Sequence, residues 1–464
     1  MSILKEIYWA APYFLKCWMA SWNARLLDRW RHGAAYERIC REIAEHDGWS
    51  PEQFAEYQEA RLREIVALAG THVPYYREAF ADVGVDVGSF RGSEDLARLP
   101  ILEKQPVRAD STRFVDERRD LSKLKVSHTS GTTGTPLDLY RDVAVESAAF
   151  AFFDARCREV AGMRRRRNAS VSLCGHLVAA PQRAVPPFWV HNRRWKQLYM
   201  SSYHLAPKYL PAYVEQMRAF GGEFIEGYPS SVYSVAKFIV DNGLEPVPFK
   251  ACFTTAETLF DFQREAIRQA FQCRTYDQYG CGEAAIFAAE CELGSMHLSP
   301  EVSYVEIVDE NDRPVEPGVV GHVVCTSLLN DVQPFVRYRL GDLAALSPTP
   351  CACGRPLPVL DRIEGRIDAV LITRDGRRIG RLDPVFKGAE GIAEAQIVQN
   401  DYDQFVVRIV PGKGYTDADG ETIARNLAER TGEADIRVER VAEIERTASG
   451  KFPAVVCKLP RDLH

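Results

Sequence analysis

The sequence has no basic excess, no cysteine-dense stretch and no long uninterrupted apolar run. Each absence removes a class of protein. With 58 Lys and Arg against 64 Asp and Glu the formal charge is −6, the reverse of a nucleic-acid binder's basic footprint. The run Arg164–Arg167 is local and reads as a solvated loop or a phosphate-binding patch. Twelve cysteines in 464 residues are too sparse for a disulfide scaffold, and the N-terminus does not read as a signal peptide. Reduced thiols and a cytoplasmic location are therefore expected. The remaining composition, 46% hydrophobic and 26% charged, is that of a globular protein of two or three domains.

Near the N-terminus, Glu6 to Arg25 carry one charge between them, Lys16. Pro12 interrupts the stretch, so a membrane span is not expected. Trp18, Trp22, Leu26 and Trp30 recur every four residues and make one helix face. Such a face packs on the protein itself, on a second subunit as in a homodimer, or on a membrane surface. Residues 33–80 read as helical, with Pro74 breaking the pattern.

From about residue 125, short apolar runs alternate with helical patterns. ASVSLCG (169–175), EFIEGYPS, FKACFTTAETL and RTYDQYG read as strands with their following loops. Alternation of this kind implies an α/β domain with a largely parallel sheet, whose ligands bind beyond the carboxyl ends of strands. Residues 301–346 read as β-rich, and a smaller α+β tail follows a boundary near Gly365. The expected organisation is an N-terminal helical segment (1–80), a large domain (81–365) and a small C-terminal domain (366–464).

One segment is costly for any regular element. TSGTTGT (129–135), closed by Pro136, is seven Ser, Thr and Gly residues. Glycine costs backbone entropy, and the hydroxyls compete with the backbone for hydrogen bonds. What such a loop offers is unshielded N–H and O–H groups, suited to a polyphosphate. It lacks the Gly-Lys-Ser/Thr ending of a P-loop, because Gly134 precedes Thr135 and Pro136.

Downstream, in order, come YGCGE (279–283), YRLGD (338–342), EGRID (364–368) and ERTASGK (445–451). Together with the hydroxyl-rich loop these resemble the acyl-adenylate-forming superfamily. The absence of lysine after Pro136, with TTAETL, EGYPS and the Cys-Ala-Cys-Gly element, resembles its phenylacetate–CoA ligase branch. Residues 48–80 resemble CapK-like relatives of that branch from capsular polysaccharide biosynthesis.

The resemblance implies a large adenylate-forming domain, with parallel-rich sheets and a β-rich subdomain, and a small mobile C-terminal domain. It implies ATP, Mg²⁺ and a small carboxylic acid as ligands. Acyl-AMP would form and then pass its acyl group to coenzyme A. The rivals are an amine or hydroxyl acceptor, or a non-catalytic nucleotide-binding scaffold. By the same resemblance Thr129, Ser130, Gly131, Thr132, Thr133 and Gly134 cradle the β- and γ-phosphates. Thr255, Ala256 and Glu257 border the adenine, and Tyr279 lies against it. Glu283 holds Mg²⁺ and Asp342 accepts the ribose hydroxyls. Lys451 reaches the reacting carboxylate and α-phosphate, where charge builds as pyrophosphate leaves. Arg366 sits at the hinge with the nucleotide-binding set, and Asp368 is the hinge residue. Tyr228, Pro229 and Ser230, near His176 and Trp189, are expected in the acid pocket. Gly282 departs from the family, which has Thr or Ser there; a hydroxyl that would contact the α-phosphate is missing.

Cys351 and Cys353, with Cys291 and His297 upstream, offer three thiolates and an imidazole. That donor set suits a tetrahedral, structural Zn²⁺ site, with two buried cysteines and an unrelated surface histidine as the plain alternative.

Overall fold

A computed structural model describes residues 3–128, 137–180, 183–256, 259, 261–364, 371–375, 378–379, 382–389, 391–411, 414–432, 434–442, 444 and 455–459. The chain begins with helices α1 (Ile3–Ala10), α2 (Tyr13–Arg31), α3 (Ala34–His46), α4 (Pro51–His72), α5 (Pro74–Asp82) and α6 (Lys104–Ala109). Hairpin strands β1 (Lys125–His128) and β2 (Asp138–Arg141) lead into α7 (Val143–Phe153). The α/β region contains β3 (Ser170–Leu173), β4 (Trp189–Asn192), β5 (Gln197–Met200), α8 (Leu210–Phe220), β6 (Phe224–Gly227), α9 (Pro229–Asp241), β7 (Ala251–Thr254), α10 (Asp261–Phe271) and β8 (Arg274–Gly280). Then come β9 (Phe287–Glu290), β10 (Met296–Leu298), β11 (Ser303–Val308), β12 (Gly321–Ser327), β13 (Tyr338–Leu346) and β14 (Val359–Glu364).

The helical reading of 33–80 holds, in three pieces. Ser50 starts α4 with a reciprocal cap: its side chain accepts from the Gln53 amide, and Gln53 accepts from the Ser50 amide. Pro74 opens α5 as well as ending α4, since a first-turn proline gives up no helical hydrogen bond.

One twelve-stranded sheet runs β11-β12-β13-β14-β10-β9-β8-β7-β6-β3-β5-β4. β5, β3, β6, β7 and β8 pair in parallel; the strands from β9 to β14 pair antiparallel. β3, β6 and β7 are buried on both faces along their whole length, as strands inside a parallel sheet are. α8, α9 and α10 cover one face through Tyr213, Val235 and Phe271. On the other face, Arg158 is fully buried between Asp154 and Glu226. Burial alone would keep the Asp154 carboxyl protonated; Arg165 and Arg158 outweigh it and hold its pKa well below the usual range.

The strands that flank the hydroxyl-rich segment 129–136 lie apart from the parallel sheet. β1 and β2, on either side of the segment in sequence, are an antiparallel pair in register from Lys125↔Arg141 to His128↔Asp138 and form a separate two-stranded sheet. Residues 129–136 themselves lie outside the described residues. At the end of the pair His128 Nδ1 lies 2.7 Å from Asp138 Oδ1.

Past residue 370 are β15 (Leu371–Ile372), β16 (Arg378–Ile379), β17 (Ile392–Asp401), β18 (Gln404–Pro411), α11 (Asp417–Thr431), β19 (Asp435–Arg440) and β20 (Val455–Cys457). A four-stranded sheet, β19-β18-β17-β20, packs under Ile423 and Leu427 of α11. This is an α+β unit with its own core, centred on Ile397, Val407 and Ile409.

Candidate active site

A single core joins three of the motifs. Leu137 and Leu139 of the hairpin, Ala285 and Ile286 after YGCGE, and Tyr338 and Leu340 of YRLGD are buried in one apolar cluster, against which Tyr279 packs. Arg141, at the end of the hairpin, donates to the Gly282 carbonyl. The foot of the hydroxyl-rich segment is thereby fixed to the YGCGE loop. Residues Thr129, Ser130, Gly131, Thr132, Thr133 and Gly134 themselves lie outside the described residues.

Two tyrosines hold the two carboxylates. Tyr338 Oη donates to Glu283 Oε1 at 2.8 Å, and both residues are buried. Tyr279 Oη donates to Asp342 Oδ2 at 2.9 Å, although β8 and β13 are not neighbours in the sheet. Burial first, and the facing carboxylate second, push both phenols far above their ordinary pKa. They therefore remain donors at any physiological pH. Tyr279, expected only as a flat surface for adenine, is also a hydrogen-bond partner of the diol-binding candidate.

The backbone is strained at these motifs. Ala284 (φ +55°), Arg337 (φ +46°) and Ala256 (φ +69°) are left-handed without being glycine, and they flank Glu283, Tyr338 and Thr255. Each costs on the order of 1–3 kcal/mol, a cost often concentrated where function dictates backbone direction. Arg337 is held by Glu306, with N–O distances of 3.1 and 2.9 Å, and by the Leu99 carbonyl at 2.7 Å.

Thr255 and Ala256 follow the end of β7, whose Thr254 is in register with Asp277 of β8. Thr255 and Tyr279 thus emerge from adjacent strands. Glu257 lies outside the described residues, as do Arg366, Asp368 and Lys451.

Sequence reasoning missed Asp277. Thr254 Oγ1 donates to Asp277 Oδ1 at 2.6 Å, and Glu290 beside it accepts from Arg264 at 2.8 and 3.1 Å. Burial pushes the Asp277 carboxyl up to about 7. A raised acid pKa means the folded state keeps a proton that the unfolded state has lost. Stability therefore falls as pH rises from about 4 to about 7, and the loss is constant above that. Asp277→Asn is expected to melt higher than the parent above pH 7, with the gain vanishing near pH 4. Thermal melts across that range test it; a gain independent of pH contradicts the assignment.

Tyr228 caps α9, and Pro229 is its first residue. The Tyr228 ring lies over Gly175, where an added Cβ would come within 2.9 Å of it. His176 is next in sequence, with its ring 4.4 Å from Tyr199 and Nε2 3.4 Å from Ser172 Oγ. Gly175, His176 and Tyr228 are therefore neighbours. Ser230 continues α9 on the backbone. Trp189 is elsewhere: it is buried in the core with its ring 5.9 Å from Tyr213. It is a packing residue, drawn inward by the pairing of β4 with β5.

The sulfur and imidazole donors do converge. Cys291 directly follows β9, His297 lies on β10, and Cys351 and Cys353 lie in the β13–β14 connection. Pairing of β10 with both β9 and β14 brings the two turns together. Their four donor atoms lie within 4.8 Å of one another. Cys291 Sγ is 3.8 Å from Cys351 Sγ, and Cys353 Sγ is 3.3 Å from His297 Nε2. Backbone amides of Leu293 and Cys353 point at the sulfurs of Cys291 and Cys351. His297 Nδ1 lies 3.3 Å from the Leu357 carbonyl, which aims Nε2 into the cluster. Burial lowers the His297 pKa and keeps the imidazole neutral. Burial opposes ionisation of Cys351, but hydrogen bonds from Ser295 and Cys353 hold its pKa near 7. Three thiols, one neutral imidazole and N–H···S contacts fit a soft tetrahedral cation.

Residues 371–458 match the family model described as the CapK C-terminal domain. Across the chain, 2-hydroxyisobutyryl-CoA ligase in the postadenylation state aligns with TM-score 0.56 and 21% identity, over 90% of each chain. The same ligase with 2-HIB-AMP and CoA in the thioesterification state gives TM-score 0.56 and 22% identity, over 87% of this chain and 90% of the other. The fold is that of the adenylate-forming superfamily.

Protein CapK of Staphylococcus aureus is 25% identical over 443 residues, 92% of each chain. Phenylacetate–coenzyme A ligase of Thermus thermophilus is 28% identical over 343 residues, 70% of this chain and 72% of its own. The chain is a homologue of CapK and of the phenylacetate–CoA ligases.

Proposed function

We propose that this chain is an AMP-forming acid–thiol ligase. It activates a carboxylic acid as its adenylate and then transfers the acyl group to coenzyme A. The observation that carries this reading is the meeting of three motifs in one core: the hairpin foot, Glu283 with Tyr338, and Asp342 with Tyr279. Homology to phenylacetate–CoA ligases supports the second step.

In this reading residues 129–134 bind the β- and γ-phosphates, and Thr255, Ala256 and Glu257 border the adenine with Tyr279. Asp342 accepts the ribose hydroxyls, with Tyr279 orienting its carboxylate. Glu283 holds Mg²⁺, with Tyr338 fixing the rotation of the carboxylate. A carboxylate oxygen of the acid attacks the α-phosphorus, pyrophosphate departs, and Lys451 neutralises the growing charge. The thiol then attacks the acyl carbon and AMP leaves. Residues 366–464 act as a lid hinged at Asp368 with Arg366 beside it, and closure brings Lys451 in. Tyr228, Pro229 and Ser230, with His176, border the acid. Cys291, His297, Cys351 and Cys353 hold a structural Zn²⁺, whose four protein ligands leave no open position.

Pyrophosphate release and hydroxylamine trapping, with a panel of arylacetic, 2-hydroxy and short aliphatic acids, test the reading. Acid-dependent turnover is expected. A folded chain that binds ATP and turns over none of them favours a nucleotide-binding scaffold instead. Tyr338→Phe removes a hydrogen bond to a charged group and is expected to raise the KM for Mg-ATP by roughly tenfold, with a smaller effect on kcat. Equal loss in kcat with KM unchanged contradicts a positioning role.

A further inference from the structure

Helix α2 is inside out. A helix on a protein surface normally turns its apolar stripe to the core and its charges to water. Here the inward face carries Lys16, Cys17, Ala24 and Asp28, all buried. The outward face carries Phe14, Trp18, Trp22, Leu26 and Trp30, with Phe14 74%, Trp18 59% and Trp22 51% exposed. Trp18 and Trp22 stack on each other at 5.7 Å.

The helix is not waiting to dock on its own chain, because its inner face is already bonded to it. Lys16 Nζ donates to the Trp9 carbonyl at 2.9 Å, and Ser21 Oγ accepts from the Arg193 amide at 3.0 Å. Asp28 accepts from Trp195 Nε1 at 2.8 Å, Arg194 Nε at 2.9 Å and Arg166 Nη2 at 2.5 Å. These contacts fix the rotation of α2 and hold the aromatic face outward.

Charge identifies the occupant. Arg25 and Arg29 are exposed on the aromatic side of the helix, and Arg193 and Arg194 are exposed beside it. α2 carries one carboxylate, Asp28, which is buried and already shared by two arginines. The whole chain has a net charge of −6, so this cationic rim runs against the overall balance. Two copies meeting face to face would oppose Arg25 and Arg29 to their own counterparts, with no exposed carboxylate on the helix to pair them. An anionic lipid surface supplies both requirements: headgroup charge for the arginines, and an interfacial layer for tryptophan. No described helix is long and apolar enough to cross a bilayer. We propose that the outward face of α2 lies on the interface of an anionic membrane, with Trp18 and Trp22 as its anchors and Arg25 and Arg29 as its charge contacts.

The test is flotation of the full chain with phosphatidylcholine vesicles and with vesicles containing about 30% phosphatidylglycerol, alongside light scattering without lipid. Binding to the anionic vesicles is expected to exceed that to neutral ones by at least about tenfold and to weaken as salt rises. Trp18→Ser with Trp22→Ser, and separately Arg25→Glu with Arg29→Glu, should each abolish flotation while leaving the thermal midpoint unchanged. The proposal is overturned if the parent does not float, or if both double variants float like the parent. It is equally overturned by a lipid-free dimer that the tryptophan variant dissolves and that does not bind vesicles. None of these outcomes depends on the ligase reading.

Discussion

Replacing Lys451 by alanine is expected to lower acid-dependent pyrophosphate release by about 10²–10³-fold, equivalent to about 3–4 kcal/mol of barrier. The reason is where charge appears. As the carboxylate oxygen bonds to the α-phosphorus, negative charge accumulates on the phosphoryl oxygens and on departing pyrophosphate. A positioned ammonium stabilises that arrangement more than the bound reactants. The loss should therefore fall on kcat, with the KM for ATP nearly unchanged. Thioester formation from acyl-AMP supplied ready-made should be largely spared, because pyrophosphate has already left. Stopped-flow pyrophosphate detection and thioester formation from synthetic acyl-AMP separate the two steps. Equal loss in both steps would place Lys451 in general folding or in thiol transfer.

Loss of metal is the second large effect. Structural zinc contributes about 10–16 kcal/mol of apparent free energy in small sites. In this chain a metal held by Cys291, His297, Cys351 and Cys353 would tie the β9–β10 turn to the β13–β14 connection. β13 carries Tyr338 and Asp342, and β9 pairs with β8, which carries Tyr279. A metal there would brace the strands that hold the two tyrosine–carboxylate pairs. Purified protein is expected to hold about one zinc per chain. Cys351→Ser with Cys353→Ser should lose the metal, melt well below the parent and become open to proteolysis between β13 and β14. Metal analysis with limited proteolysis checks this. A parent free of metal whose melting is unmoved by the double substitution would leave the four residues as ordinary buried thiols and a histidine.

What the sequence disclosed depended on the range of the forces involved. Buried parallel strands announce themselves as short runs of mostly apolar and small residues between helical patterns, and β3, β6 and β7 were legible for that reason. The cysteine and histidine donors could be paired because soft ligands are rare and chemically selective. The hairpin flanking 129–136 was legible only in its first strand: LSKLKVSH alternates, but no local pattern says that β1 pairs with β2 and not with the parallel sheet. Trp189 and His176 look alike as candidate pocket residues in one dimension. Sheet pairing sends Trp189 into the core and leaves His176 beside Tyr228. The hydrogen bonds from Tyr279 to Asp342 and from Tyr338 to Glu283 cross between distant segments, and no local pattern encodes them. Gly282 shows the same limit. Sequence reveals the hydroxyl it lacks, whereas only folding reveals that its carbonyl anchors Arg141.

Oxygen-isotope transfer tests adenylation most directly. An acid labelled with ¹⁸O in its carboxyl group, chosen from those that support hydroxamate formation, is turned over with ATP, Mg²⁺ and coenzyme A. If the carboxylate attacks the α-phosphorus and the thiol then expels AMP, one labelled oxygen stays on the phosphate of AMP. Label in AMP, with pyrophosphate as the other product, is the expected result. Label in inorganic phosphate, with ADP formed, would mean attack at the γ-phosphorus and would contradict the proposed chemistry of this site.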